Sequence, residues 1–186
     1  MRILVGFCLL LLVAVPGFAR EIAGVDVAES ITGEGGTTLS LNGAGVRSKL
    51  FFKIYVAELY LVNPSSDAVA ILADDSQKMM VMDFLYDEVS AEKLVGAWNE
   101  GFEANLSDDQ RAALAEKIDA FNAMFVTVKK GDKIVINYLP GKGTSVIVAG
   151  AEKGAVEGKD FADAVFAIWL GEKPVTKELK KQLLSS

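Results

Sequence analysis

The stretch "GAGVRSKLFFKIYVAELYL" occupies residues 43–61. Its valines, isoleucine and aromatic residues suit a pleated, half-buried surface. It reads as one long β-strand that begins beside a fixed cation, Arg47, and carries a phenol, Tyr55, eight residues on. The two positions have the same parity, so a regular strand points both side chains to one face, but at about 3.3 Å per residue it separates them by roughly 26 Å. They can meet at one ligand head only if the chain turns or bulges between them. "RSK", residues 47–49, can start such a bend.

The flanking sequence extends the pattern. Residues 21–47 are rich in Gly, Thr, Ser and Val, which predicts short strands joined by glycine turns. Asn63-Pro64 ends the long strand, because proline has no N–H for a ladder. "AVAILAD", residues 68–74, is compatible with helix or strand. "KMMVMDFL", residues 78–85, alternates as a strand, with Met79, Val81, Asp83 and Leu85 on one face and Met80, Met82 and Phe84 on the other. Two helices follow. Ser90 caps the first, with the stripe Leu94, Trp98, Phe102 and Leu106. "SDDQ" at 107–110 has the form of a capping box for the second, striped by Leu114, Ile118, Phe121 and Phe125. Residues 125–150 read as three strands with turns at Gly131-Asp132 and at 140–143. A helix is expected over Lys159–Leu170, with Gly171 as its C′ residue, and a short one from Thr176. Strands, helices, a meander and helices again predict an α+β domain, a mainly antiparallel sheet with helices on one face.

The 186 residues suggest one domain. Residues 1–19 read as a secretory signal peptide: Arg2, an apolar run from Ile3 to Val15, the break at Pro16, and Gly17 and Ala19 as small cleavage-site residues. The run is shorter than the roughly 20 residues needed to span a bilayer, and no second long run follows, so no stable membrane insertion is expected. Cys8 lies inside the run, which argues against lipidation. Residues 20–186 are the expected domain, exported to the periplasm or secreted. They have no cysteine, and the whole chain has no histidine. This excludes disulfides, Cys-type zinc sites and Ser-His or Cys-His catalysis. No metal or cofactor is expected. Net charge is −6, and loss of Arg2 leaves 18 basic against 25 acidic side chains. Such a chain repels nucleic-acid phosphates and anionic headgroups overall.

In this order the segments 43–61, "EVSAEKLVGAWNEGF" (88–102), "GDKIVINYLPGKGTSVIVAG" (131–150) and "GKDFADAVFAIWLGEKPVTKELKKQLL" (158–184) resemble the chalcone isomerase superfamily. The similarity runs from about Leu39 to Leu184. The secreted form resembles the chalcone isomerase-like branch rather than the plant enzymes. The resemblance implies an open-faced β-sandwich with a cleft between sheet and helices. Plant members close a flavanone ring there by intramolecular addition; a non-enzymatic branch binds fatty acids.

The resemblance also assigns candidate site residues. Arg47 matches the arginine shared by both branches, where it holds a phenolate, an enolate or a carboxylate. A guanidinium suits that role because an anion in an apolar cleft is costly unless paired. The competing reading is a solvated strand-end arginine. Tyr55 falls where fatty-acid binders carry a tyrosine, and a phenol can donate to a carboxylate; otherwise it is a core residue. Lys78 corresponds to a lysine on the family's central strand. The family's helix asparagine aligns near Lys93, and its closing-helix Thr or Ser near Ile168, which argues against chalcone cyclisation. The methionine and phenylalanine positions read more simply as core than as cavity lining. The expected function is non-catalytic periplasmic binding of a small amphipathic carboxylate or phenolic ligand, such as a fatty acid. The alternative is an intramolecular lyase or isomerase acting on an enone. Oligomeric state is not set by the sequence.

Overall fold

A computed structural model describes residues 19–185; the expected signal segment falls outside them except for Ala19. Strands β1 (Ala19–Ile22) and β2 (Val25–Ala28) form a small hairpin, followed by β3 (Ser30–Thr32), β4 (Thr38–Lys49) and β5 (Phe52–Leu61). Helix α1 (Ala68–Ala73) leads into β6 (Lys78–Phe84) and the short β7 (Glu88–Val89). Helices α2 (Ala91–Asn105), α3 (Asp108–Ala113) and α4 (Ala115–Asn122) come next. The chain ends with β8 (Val128–Lys129), β9 (Lys133–Leu139), β10 (Gly143–Val148), β11 (Ala151–Val156), α5 (Lys159–Leu170) and α6 (Lys177–Leu183). Seven strands form one antiparallel sheet in the order β11-β10-β9-β6-β5-β4-β3.

The main core lies between one face of this sheet and the helices. Tyr55, Ala57, Leu59 and Leu61 of β5 meet Met80, Met82 and Phe84 of β6 there, with Trp98, Phe102, Phe121, Phe161 and Trp169 from the helices. The alternation expected for β6 holds, and Met80, Met82, Phe102, Phe121 and Phe125 are core residues. The domain is α+β, with its helical layer on one face and the other face partly covered by the β1–β2 hairpin.

The expected single strand over residues 43–61 is two strands. The chain reverses at Leu50 and Phe51, so Lys49 pairs with Phe52 and Arg47 pairs with Tyr55. No glycine, asparagine or proline marks this turn; Leu50 itself takes the left-handed conformation, at φ +55°. The second expected helix is broken at Leu114, whose φ and ψ are −101° and 5°, although Ser107 and Gln110 do form the capping box. Residues 68–73 are helical because the Asp67 carboxylate accepts from the amides of Val69 and Ala70. Strand β11 was not predicted: "AEKGAV" lacks apolar alternation. Gly171 caps α5 with φ −68°, not in the left-handed region. Glycine is required there because a Cβ would overlap Asn105 and the Ala167 carbonyl.

Close approach also explains Gly43 and Gly45. Helix α6 lies directly on β4, and a Cβ at residue 43 would overlap the backbone carbonyls of Gln182 and Leu183. At residue 45 it would overlap the Gln182 side chain. Asn42 fixes the same contact: its Nδ2 donates to Leu183 O at 2.8 Å and to Ser65 O at 3.0 Å, and its Oδ1 accepts from Ser65 N at 2.7 Å. Gly43→Ala is expected to destabilise by about 1–3 kcal/mol, because backbone cannot move aside as a side chain can. Gly45→Ala is expected to cost less. Urea unfolding of the two variants checks the order.

The helix-free face carries a buried polar cluster. Glu58 and Asp83 lie diagonally across β5 and β6. The Tyr60 hydroxyl donates to Glu58 Oε2 at 2.7 Å and lies 3.0 Å from Ala28 O, while Lys133 pairs with Asp83 at 2.8 Å. Burial, then the hydrogen bond to Asp83 and its charge, raise the Glu58 carboxyl to about 7. Glu58 Oε1 and Asp83 Oδ2 have no other partner among the described residues, and a protonated Glu58 carboxyl can donate toward Asp83. A carboxyl with a raised folded-state value binds more protons folded than unfolded. Its stabilisation is therefore complete below the ordinary glutamate value and is lost as pH rises through about 7. Glu58→Gln is expected to flatten this dependence, and at about pH 8 to be more stable than wild type by on the order of 2 kcal/mol. Urea midpoints at about pH 5 and about pH 8 measure it.

Candidate functional site

The reversal at 50–51 places Arg47 and Tyr55 side by side instead of roughly 26 Å apart. Directly paired antiparallel residues have their Cβ atoms about 4.5–5.5 Å apart and project to the same face. Both residues line a cleft of about 440 Å³. Its sheet side is the β4–β5 end with Phe84 and Tyr86; its helix side is α2, through Lys93, Leu94, Gly96, Ala97, Trp98 and Glu100. Val175, between α5 and α6, completes the lining.

The Tyr55 ring is buried, with 5% of the residue exposed, and sits against Phe84 at 5.5 Å between centroids. Its hydroxyl oxygen accepts a hydrogen bond from Trp169 Nε1 at 3.1 Å. That bond uses an oxygen lone pair, and the phenol proton is left to be donated. Burial raises the Tyr55 phenol above its ordinary value, and the opposing Trp169 N–H and Arg47 charge do not cancel this. The group is therefore a protonated donor at neutral pH. Arg47 is half-buried, and its Nη1 donates to Ser48 O at 2.7 Å. Among the described residues no carboxylate forms an ion pair with it. A guanidinium has five N–H donors, so most remain for an anion.

Two further features were not anticipated. Trp98, only 3% exposed, lines the cleft and its buried Nε1–H has no partner among the described residues. An orphan buried donor is rare and calls for an acceptor. Gly96 sits inside α2, where glycine costs about 0.5–1 kcal/mol relative to alanine. A Cβ there would meet nothing within 4 Å. No packing contact requires the glycine; it leaves the cleft wall bare. Glycine inside a helical pattern was the available signal for it.

Lys78 is not part of this group. It stands at the far end of β6, paired with Leu61, whereas Tyr55 pairs with Phe84; six residues of strand, roughly 20 Å, lie between. Lys78 is buried, and its Nζ donates to the carbonyls of Ile71 at 2.7 Å and Asp74 at 2.6 Å, at the end of α1. Burial first, and then the charge of Lys159, lower the amine to about 8. Its geometry is that of a helix-end clamp. Lys93, aligned by resemblance with an asparagine, does line the cleft, and Ile168 is buried against Gly101.

The arrangement can hold an anion. Arg47 and Tyr55 offer donors at one point, and the wall beyond them is apolar and aromatic. The volume lies within the roughly 300–1,000 Å³ of small-molecule sites.

The whole described domain can be compared with known proteins. No curated protein sequence matches it. Among solved structures, a fatty-acid binding protein of Arabidopsis thaliana is similar over 90% of this chain and 95% of its own, with a TM-score of 0.67 and 16% identity. That likeness concerns the fold. The profile of a family described as chalcone isomerase-like matches residues 19–185. With every described residue inside that match, and the sheet, helical layer and cleft in the expected places, the chain belongs to the chalcone isomerase-like family.

Proposed function

We propose that the protein is a non-catalytic binder of a small amphipathic carboxylate, such as a fatty acid, and acts in the periplasm after removal of residues 1–19. The observation that carries this reading is the pairing of Arg47 with Tyr55 in the wall of a largely apolar cleft. A carboxylate there receives guanidinium N–H bonds and the phenol proton. Its hydrocarbon tail lies along Ile54, Phe84, Leu94 and Trp98. The fatty-acid binding described for the Arabidopsis protein of the same fold supports the ligand class. The leader-like pattern of residues 1–19 supports the location.

Native mass spectrometry of protein purified from the cell envelope is expected to show a bound carboxylate that denaturation releases. Arg47→Ala is expected to weaken binding of a long-chain fatty acid by about ten- to a hundred-fold, and Tyr55→Phe by several-fold. Ligand-free wild type that also fails to bind fatty acids on titration overturns the reading, as does turnover of enone substrates dependent on Arg47.

Filling the bare stretch of α2 tests the cleft separately from the charge. Gly96→Ala is expected to raise stability by about 0.5–1 kcal/mol. Gly96→Leu is expected to keep the fold and abolish fatty-acid binding by occupying the space. Circular dichroism and a fluorescent fatty-acid titration distinguish the two effects.

A further inference from the structure

The tip of the β4–β5 hairpin presents three consecutive apolar side chains to solvent. Leu50 is 85% exposed, Phe51 98% and Phe52 55%. Such residues at a turn are unfavourable on two counts. Large apolar groups gain nothing from the fold when exposed, and Leu50 adopts a left-handed conformation that glycine or asparagine holds with less strain. Phe52 meets Tyr86 edge-on, with 5.5 Å between ring centroids, but Phe51 belongs to none of the apolar clusters among the described residues.

The charge around the tip is the reverse of the chain's. Net charge is −6 overall, but Lys49 and Lys53 immediately flank the apolar residues, and Arg47 and Lys93 stand nearby on the cleft lining. None of the four forms an ion pair among the described residues. Glu88 and Glu100 are the acids that share the lining. The tip also borders the cleft, because Lys49, Leu50 and Phe52 line it while Phe51 points clear of it.

We propose that the Leu50–Phe51–Phe52 tip docks on a lipid bilayer that contains anionic lipid. The three side chains enter the headgroup–acyl boundary, and Lys49 and Lys53 meet the headgroup phosphates. A few apolar residues with basic neighbours give reversible surface binding. Chain-wide negative charge does not prevent it, because charges beyond a Debye length of about 8–10 Å are screened. Among the described residues no helix is long and apolar enough to cross a membrane, so the association is peripheral. A second copy of the chain fits the tip poorly. An isologous contact would set Lys49 and Lys53 against their own copies, and a two-residue turn buries far less than the roughly 800 Å² per partner of a stable interface. Docking would hold the cleft mouth at the lipid surface, where an amphipathic carboxylate enters or leaves without crossing water. This last step rests on the binding function proposed above; the docking itself does not.

The test is flotation with phosphatidylglycerol–phosphatidylethanolamine vesicles and with phosphatidylcholine vesicles. Each variant is compared with wild type carrying the same N-terminus. Wild type is expected to float with the anionic vesicles, and less so at high salt. Phe51→Asp is expected to lower partitioning roughly ten-fold or more, and Lys53→Glu several-fold. Neither is expected to alter the circular dichroism spectrum or fatty-acid affinity in vesicle-free solution. Equal flotation of wild type and Phe51→Asp, or no flotation of wild type, overturns docking. A Phe51-dependent dimer without flotation also overturns it and gives the tip to a second copy. If the vesicle results hold but fatty acid does not bind in solution, the cleft reading fails and the docking stands.

Discussion

The two-residue reversal at Leu50–Phe51 governs the rest of the site. In an antiparallel ladder, residues equidistant from a turn face each other, so an eight-residue separation becomes a cross-strand neighbour. Arg47 and Tyr55 become neighbours through an irregularity in register on their turn side, between Arg47 and Ser48, which sets Tyr55 rather than Ile54 opposite Arg47. A guanidinium and a phenol can thus act on one anion although no local sequence signal links them. The same reversal leaves an apolar tip in solvent at the edge of the cleft.

Strand β5 separates two kinds of chemistry by parity. Its odd residues, Tyr55 to Leu61, face the helical layer and build the core. Its even residues Val56, Glu58 and Tyr60 face away, where Glu58 joins Asp83 and the β2 carbonyl of Ala28 through Tyr60. A buried polar cluster of this kind must be fully paired to be tolerated. A proton on Glu58 supplies a donor toward Asp83, so this face is tied to pH.

The cleft departs from well-packed structure at several points. Among the described residues, Gly96 sits in a helix without a contact that demands it, Trp98 keeps an unpartnered indole N–H, and Arg47 has no carboxylate partner. In the proposed reading an anionic head pairs with Arg47 and an apolar body fills the space beside Gly96, while the Trp98 N–H needs an acceptor that a hydrocarbon tail does not supply. By contrast Lys78, equally noticeable in sequence as a lysine on an apolar strand, has its Nζ taken by two carbonyls at the end of α1.

The sequence by itself determined the secondary structures whose signals are local. Caps at Ser90 and Ser107, the alternation of β6 and the helical stripe of α2 depend on neighbours within a few residues, and they are legible for that reason. The family resemblance supplied Arg47 and Tyr55 as candidates, but local periodicity placed them far apart on one strand. Edge strand β11 and the break at Leu114 were hidden because neither has a pattern of its own. Only the tertiary structure decided where the long run folds back, because the turn carries no turn residues. Pairing with β3 and β6 and the docking of α6 on Gly43 and Gly45 select the register. Register is a sum of contacts distant in sequence, and so the site, which is made of register, could be read only in the folded chain.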